Sequence, residues 1–97
     1  MGESMRWRKT LDAMEINPRA DWRIEDLERI CNQLKELGVT MSPPKRGSHY
    51  TVRHTKLATI LTVPAHRPVK AVYVKRFVDM IRSIIDGIGD ESNLETE

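Results

Sequence analysis

The sequence predicts an α+β domain in which helices cover one face of a three-stranded antiparallel sheet, in the order α, α, β, β, β, α. Three observations predict this class. Near both ends of the chain, apolar residues recur every three or four positions, as in amphipathic helices. The middle holds short runs rich in β-branched residues, separated by proline and glycine. The chain has 97 residues, which suits one domain, and its short turns favour an antiparallel meander.

The composition is typical of a soluble globular domain, with 31% charged and 39% apolar residues. No apolar run approaches the roughly 20 residues that a membrane-spanning helix needs. The N-terminus has no apolar signal core. The single cysteine, Cys31, has no partner for an internal disulfide, which favours a reducing compartment. We therefore expect a cytoplasmic protein that does not contact the membrane.

The first helix is predicted for residues 6–15, because Trp7, Leu11 and Met14 form one apolar stripe. Pro18 ends it by pushing the preceding residue out of helical geometry. A second helix follows, with acidic residues in its first turn and an expected glycine C-cap. Its apolar face comprises Ile24, Leu27, Ile30, Cys31, Leu34 and Leu37.

Three strands are predicted, at residues 39–41, 49–54 and 58–63, and prolines follow the first and the third. The last helix is predicted for residues 72–85, and two glycines are expected to end it. Its apolar stripe comprises Val74, Phe77, Val78, Ile81, Ile84 and Ile85. The acidic residues 90–97 are expected to be disordered.

Alternation assigns the faces of the middle strand. Tyr50 and Val52 point to one side, whereas His49, Thr51 and Arg53 point to the other. The apolar pair must face the helices. We therefore expect the histidine and the arginine to lie side by side on the solvent-facing side of the sheet.

The charges are distributed unevenly along the chain. All fourteen acidic residues lie outside the segment between Leu37 and Val78, so the net charge of +2 hides a cationic block. Such a block attracts phosphate whatever its sequence. The predicted RNA-binding residues are Lys45, Arg46, Gly47, Ser48, Arg53, Lys70, Lys75 and Arg76. The last three lie at the start of the final helix, where the helix N-terminus itself attracts anions.

His49 lies within this block and is the predicted catalytic residue, because an imidazole exchanges protons near neutral pH. Cleavage of RNA through its own 2′-OH needs such a group, together with cations that stabilise the phosphorane; Arg53, Lys45 and Arg46 are the candidates. The backbone N–H groups of the preceding Gly47-Ser48 are able to approach a phosphate closely. The alternative interpretation is an ordinary surface histidine.

His66 is the candidate for a second catalytic proton-transfer group, or for a residue that orients the first. The alternative is a loop histidine that hydrogen-bonds its own backbone. His54 is expected to be structural, at the rim of the sheet. Because His49 and His54 point to opposite faces and no cysteine cluster or paired helical histidines occur, we predict no metal site and no cofactor.

Three segments together resemble the HicA family, the small mRNA-interferase toxins of HicA–HicB toxin–antitoxin pairs. They are Leu34-Lys35-Glu36-Leu37-Gly38, Lys45-Arg46-Gly47-Ser48-His49 and Leu61-Thr62-Val63-Pro64-Ala65-His66. The resemblance covers about residues 24–85. It implies a fold similar to double-stranded-RNA-binding domains (dsRBD-like, α-β-β-β-α), with both helices on one face of the sheet. It also implies metal-independent cleavage of mRNA, with His49 as the catalytic histidine, and a HicB-like antitoxin that covers the site.

On this basis residues 1–23 are an extra N-terminal helical extension, residues 24–86 the HicA-like domain and residues 87–97 an acidic disordered tail. Two alternatives to an endoribonuclease stay open. One is a non-catalytic RNA-binding module with the same cationic surface. The other is a protein–protein interaction domain that offers Ile60, Thr62 and their neighbours as a sheet face or edge to a partner.

Overall fold

The structure is a computed structural model that describes the backbone of residues 6–95 and the side chains of residues 6–87. It confirms the α+β class and the order of the elements. The helices are α1 (Arg6–Ile16), α2 (Ile24–Gln33) and α3 (Ala71–Glu95), the strands are β1 (Val39–Ser42), β2 (His49–His54) and β3 (Leu61–Pro64), and a 3₁₀ turn spans Lys35–Leu37.

The sheet has the order β1-β2-β3 and both pairings are antiparallel. Thr51 of β2 lies opposite Ser42 on one side and Thr62 on the other. The antiparallel order places the β1–β2 and β3–α3 connections at the same end of the sheet. We call this end the loop end.

The helices and the inner face of the sheet share one hydrophobic core. Leu34 of the α2–β1 connection and Phe77 of α3 are 2% and 0% exposed, and both belong to one cluster with Val52 of β2. The apolar stripes predicted for the two helices therefore meet in one core under the inner sheet face.

No helix in the described part of the chain is long and apolar enough to cross a membrane.

The N-terminal helix is part of this core. Trp7, Leu11 and Met14 are buried in the same cluster, and α1 packs against both α2 and α3. On the surface Arg82 of α3 joins the two helices: its guanidinium donates to Asp12 at 2.6 Å and to Glu15 at 3.0 Å. These hydrogen bonds raise the pKa of Arg82. Residues 6–16 therefore complete the domain that the later elements form.

The end of α2 differs from the prediction. The α-helix stops at Gln33 and tightens into the 3₁₀ turn, and Gly38 then takes the left-handed conformation at φ 96°. Because a 3₁₀ helix has three residues per turn, the continuation of the apolar stripe rotates away from the core. Leu37, predicted on the stripe, is accordingly 41% exposed.

The end of α3 was predicted wrongly. The helix continues through Gly87 and Gly89 to Glu95, so the tail expected to be disordered from residue 90 is helical as far as Glu95; residues 96–97 lie outside the described residues. A glycine inside a helix costs about 1 kcal/mol relative to alanine, which weakens a helix without ending it. It becomes a stop only in the left-handed conformation, as at Gly38.

Three strand boundaries also differ. β1 includes Ser42, and β3 begins at Leu61 rather than at residue 58 and includes Pro64. The connection between β2 and β3 occupies residues 55–60. This connection contains β-branched side chains but lies outside the hydrogen-bonded ladder. Amino-acid composition predicts strand propensity and does not show which residues pair with a neighbouring strand.

Candidate functional site

The two faces of β2 are as predicted. Val52 and His54 on the inner face are buried, at 0% and 8% exposure, and Tyr50 is half-buried. His49 and Arg53 on the outer face are exposed. The imidazole of His49 is therefore open to an incoming ligand.

The expectation that His49 and Arg53 lie side by side needs correction. They are four residues apart on one strand, which separates their Cα atoms by roughly 13 Å, and Thr51 lies between them. Alternation places every second residue on a common face. Only residues that are two positions apart are direct neighbours on that face. The histidine and the arginine therefore face different parts of any extended ligand.

Hydroxyl groups occupy much of the outer face. The register aligns Ser42, Thr51 and Thr62 in a row across the three strands and sets Thr40 opposite Arg53. A hydroxyl both donates and accepts a hydrogen bond, so this row suits phosphate oxygens and ribose hydroxyls. The sequence does not reveal this row, because strand register creates it and no single strand shows the register.

The β1–β2 loop leads directly into His49. Its residues Lys45, Arg46, Gly47 and Ser48 are all exposed. Gly47 has φ 77°, a conformation that side chains other than glycine rarely adopt, and the space where a Cβ would lie is open. The glycine is required by the turn rather than by contact with a neighbouring atom.

A backbone hydrogen bond joins this loop to the β3–α3 connection. The Ala65 N–H donates to the Ser48 carbonyl at 2.6 Å, and the register sets Pro64 opposite His49. Cations from two separate sequence segments consequently meet at the loop end. These four residues, the loop-end cations, are Lys45, Arg46, Arg67 and Lys70.

The other predicted cations are spread more widely. Lys75 and Arg76 are exposed on the first turns of α3, and the Arg76 guanidinium lies 5.7 Å from the centroid of the Tyr73 ring. Arg53 lies towards the opposite end of the sheet from the loop end. The cationic block of the sequence is thus not one compact patch.

His66 is anchored by its own loop. Its Nδ1 lies 3.0 Å from the Pro68 carbonyl, which is the interaction described above as the alternative to catalysis. Since a carbonyl only accepts, Nδ1–H is the donor, and Nε2 of the neutral ring presents a lone pair. His66 lines a surface hollow with Tyr50, an inner-face residue, whereas His49 projects from the outer face and does not line that hollow. The structure does not bring the two histidines into one cavity.

His54 has a structural role. Its Nε2 lies 2.8 Å from the Leu37 carbonyl, and its Nδ1 accepts the Lys56 N–H at 3.0 Å. The ring therefore joins the 3₁₀ turn to the β2–β3 turn as a neutral imidazole protonated at Nε2. It lies at the end of β2 opposite to His49, and Gly38 packs against it.

Neither a metal centre nor a thiol nucleophile emerges among the described residues. No group of three or more histidine, cysteine, aspartate or glutamate side chains is close enough to hold a metal ion within that part of the chain. Cys31 is buried in the core, and burial, with a smaller contribution from Glu28, raises its pKa to about 12. It is a packing residue, as its place on the apolar stripe of α2 predicts.

The geometry defines a small α+β domain with a cationic loop end and a hydroxyl-rich outer sheet face. No family model matches the chain, and no curated protein or solved structure does.

Proposed function

We propose that the protein is an RNA-binding endoribonuclease of the HicA-like mRNA-interferase kind, with His49 as a general acid/base. The observation that carries the proposal is the position of this histidine. It is exposed at the first residue of β2, on the outer sheet face, directly after a loop that contains Lys45 and Arg46. A proton-transfer group thus lies where a phosphate is attracted.

The proposed reaction uses the RNA's own 2′-OH as nucleophile. Removal of its proton allows O2′ to attack phosphorus, the P–O5′ bond breaks, and the leaving O5′ takes a proton. The products are a 2′,3′-cyclic phosphate and a 5′-hydroxyl, so atoms balance without water or a cofactor. His49 performs one of the proton transfers, and Lys45 and Arg46 of the preceding loop stabilise the charge on the phosphorane. The other transfer has no assigned residue, because His66, the candidate from the sequence, does not share a cavity with His49.

Binding is proposed to precede cleavage at the loop end. The Gly47-Ser48 loop and the N-terminus of α3 lie at this end, with Lys70 immediately before the helix. A loop and a helix N-terminus that both present N–H groups and cations suit the phosphates of a structured RNA. This arrangement supports the dsRBD-like interpretation of the fold.

The test compares the wild-type protein with His49→Ala and His49→Gln on a structured mRNA in EDTA. Loss of cleavage in both variants, with RNA affinity retained by His49→Gln, is the expected result. Asn32→Ala, an exposed change on α2, is the control and should cleave like the wild type. Cleavage within a few-fold of wild type in both His49 variants would remove the catalytic role. Binding without any cleavage by the wild type would instead support the non-catalytic RNA-binding module.

A second function, interaction with a protein partner, is supported by the free edge of β3. The Ala65–Ser48 hydrogen bond and the register leave the backbone N–H and C=O of Thr62 pointing away from β2. Beside this edge a groove of about 480 Å³ runs between β3 and α3, with Ile60 and Met80 among its lining residues.

We propose that an extended segment of a HicB-like antitoxin adds to this edge as a fourth strand. Ile60→Lys is the test, because Ile60 lines the groove immediately before β3, and a charge there opposes burial beneath an added strand. It should abolish co-purification with an antitoxin encoded beside this protein and leave RNA affinity intact. Unchanged co-purification would exclude the edge as the docking surface.

A further inference from the structure

The hollow that contains His66 adjoins the proposed cleavage site. It has a volume of about 150 Å³, and the Ala65–Ser48 hydrogen bond links its rim to the loop that carries His49. Its lining residues are Ile24, Glu25, Tyr50, Ala65, His66 and Arg67. Four of these six side chains end in polar groups, and they come from α2, β2 and the β3–α3 loop.

These polar groups are available to a ligand. Among the described residues, none makes a hydrogen bond or an ion pair with the Glu25 carboxylate, the Tyr50 hydroxyl or the Arg67 guanidinium. The Nε2 atom of His66 is likewise uncommitted, since the ring's hydrogen bond is made by Nδ1. One hollow therefore offers a carboxylate acceptor, a guanidinium donor, an imidazole nitrogen and an aromatic ring.

The Glu25 carboxylate is the group that best indicates what the hollow binds. Between Leu37 and Val78 the sequence has no acid, yet the fold brings Glu25 from α2 into the lining of one hollow with Arg67. A carboxylate at this place repels phosphate, so it weakens the general attraction for RNA. It becomes favourable when it accepts hydrogen bonds from the N–H groups of a base. The arrangement thus suits recognition of a base edge rather than of the backbone.

We propose that the hollow receives one guanine base of the RNA and gives the cleavage site its base preference. Guanine combines two N–H donors on its Watson–Crick edge with the O6 and N7 acceptors. Glu25 accepts from the donors, Arg67 donates to the acceptors, and Tyr50 supplies a ring beside the base plane. Uracil has a single N–H, and adenine offers only its amino group as donor, so neither satisfies both charged side chains equally.

The size of the hollow agrees with a single base. A cavity of about 150 Å³ admits a benzene-sized ring. The hollow is open to solvent on one side, because Glu25, His66 and Arg67 are exposed while Tyr50 is half-buried. A purine is therefore expected to enter with its hydrogen-bonding edge and to leave its sugar outside the hollow.

The inference rests on the proposed function for its place at a cleavage site, but binding tests it separately. The probes are tetranucleotides of 2′-O-methyl uridine in which one position is guanosine, adenosine or cytidine; the methyl groups block cleavage. The wild type should bind the guanosine probe on the order of tenfold more tightly than the other two, as expected for one bidentate base contact. Glu25→Gln should reduce that preference to within twofold without weakening the uridine background.

Glu36→Gln is the matched control, because Glu36 is also exposed but lies in the 3₁₀ turn, away from the loop end. It should keep the guanosine preference. Arg67→Gln is the second variant and should also lose it. Equal affinity of the wild type for the three probes, or a preference retained by Glu25→Gln, overturns the inference.

Cleavage of unmodified RNA separates the two proposals. Guanosine-selective binding without cleavage would contradict the endoribonuclease and leave the guanine site standing. Cleavage that depends on His49 but shows no preference for guanosine near the cut would contradict the guanine site alone.

Discussion

Replacing Phe77 with alanine tests the face assignment on which the functional argument depends. Phe77 is fully buried, at 0% exposure, between α3 and the inner sheet face that carries Val52. Removal of a buried phenylalanine ring typically costs about 3–5 kcal/mol, which includes the cavity left behind. Domains of this size are stable by only about 5–15 kcal/mol, so we expect Tm to fall on the order of 20 °C.

Thr51→Ala is the matched comparison. Thr51 directly precedes Val52 in β2, so its side chain lies on the opposite face of the sheet. It is part-exposed, and its loss should cost well under about 1 kcal/mol. Urea melts of the wild type, both variants and Leu34→Ala measure the difference; Leu34→Ala should cost about 2–5 kcal/mol. If Thr51→Ala proved as damaging as Phe77→Ala, the outer face would be a packed one. His49 would then point into the protein, and the proposed catalysis would lose its basis.

Three further outcomes are expected. Burial raises the pKa of Cys31 to about 12, so the thiol of the folded protein should resist iodoacetamide at pH 8 and react only after denaturation. Rapid labelling of the native protein would refute the buried position. Arg82→Met should lower the free energy of unfolding by no more than about 1 kcal/mol, because the ion pairs of Arg82 are part-exposed. It should nevertheless speed amide hydrogen exchange in α1. Unchanged exchange would show that these ion pairs do not hold α1 in place. Lys70→Glu should weaken RNA binding more than Lys75→Glu in a filter-binding assay, because only Lys70 belongs to the loop-end cations, and equal effects would place the RNA along α3 instead.

Much of the fold follows from periodicity. The stripe of Trp7, Leu11 and Met14 identified α1, and the alternation of Tyr50 and Val52 identified the inner face of β2, because burial is the physical cause of both patterns. The ends of elements were less predictable. Gly38 stops its helix whereas Gly87 does not, and the difference is the backbone conformation that tertiary packing selects.

The candidate site was predicted in part. The exposure of His49 and of its loop followed from strand alternation and a glycine turn. The predicted proximity of His49 and Arg53 was wrong, because four residues along a strand span roughly 13 Å. The Ser42–Thr51–Thr62 row depends on register, and register depends on two turns that the sequence locates only approximately.

The acid-free segment shows how a charge pattern in sequence differs from one in space. The segment correctly locates the cations, but the fold sets Glu25 of α2 in the lining of one hollow with Arg67, and Asp79 follows Arg76 by one turn of α3. Each inserted acid lowers the local attraction for phosphate, so the number of basic residues overstates the phosphate contacts available. A surface that needed only affinity would not gain from such acids. The proposed guanine site gives Glu25 a role that phosphate binding does not, because its carboxylate accepts hydrogen bonds from the base.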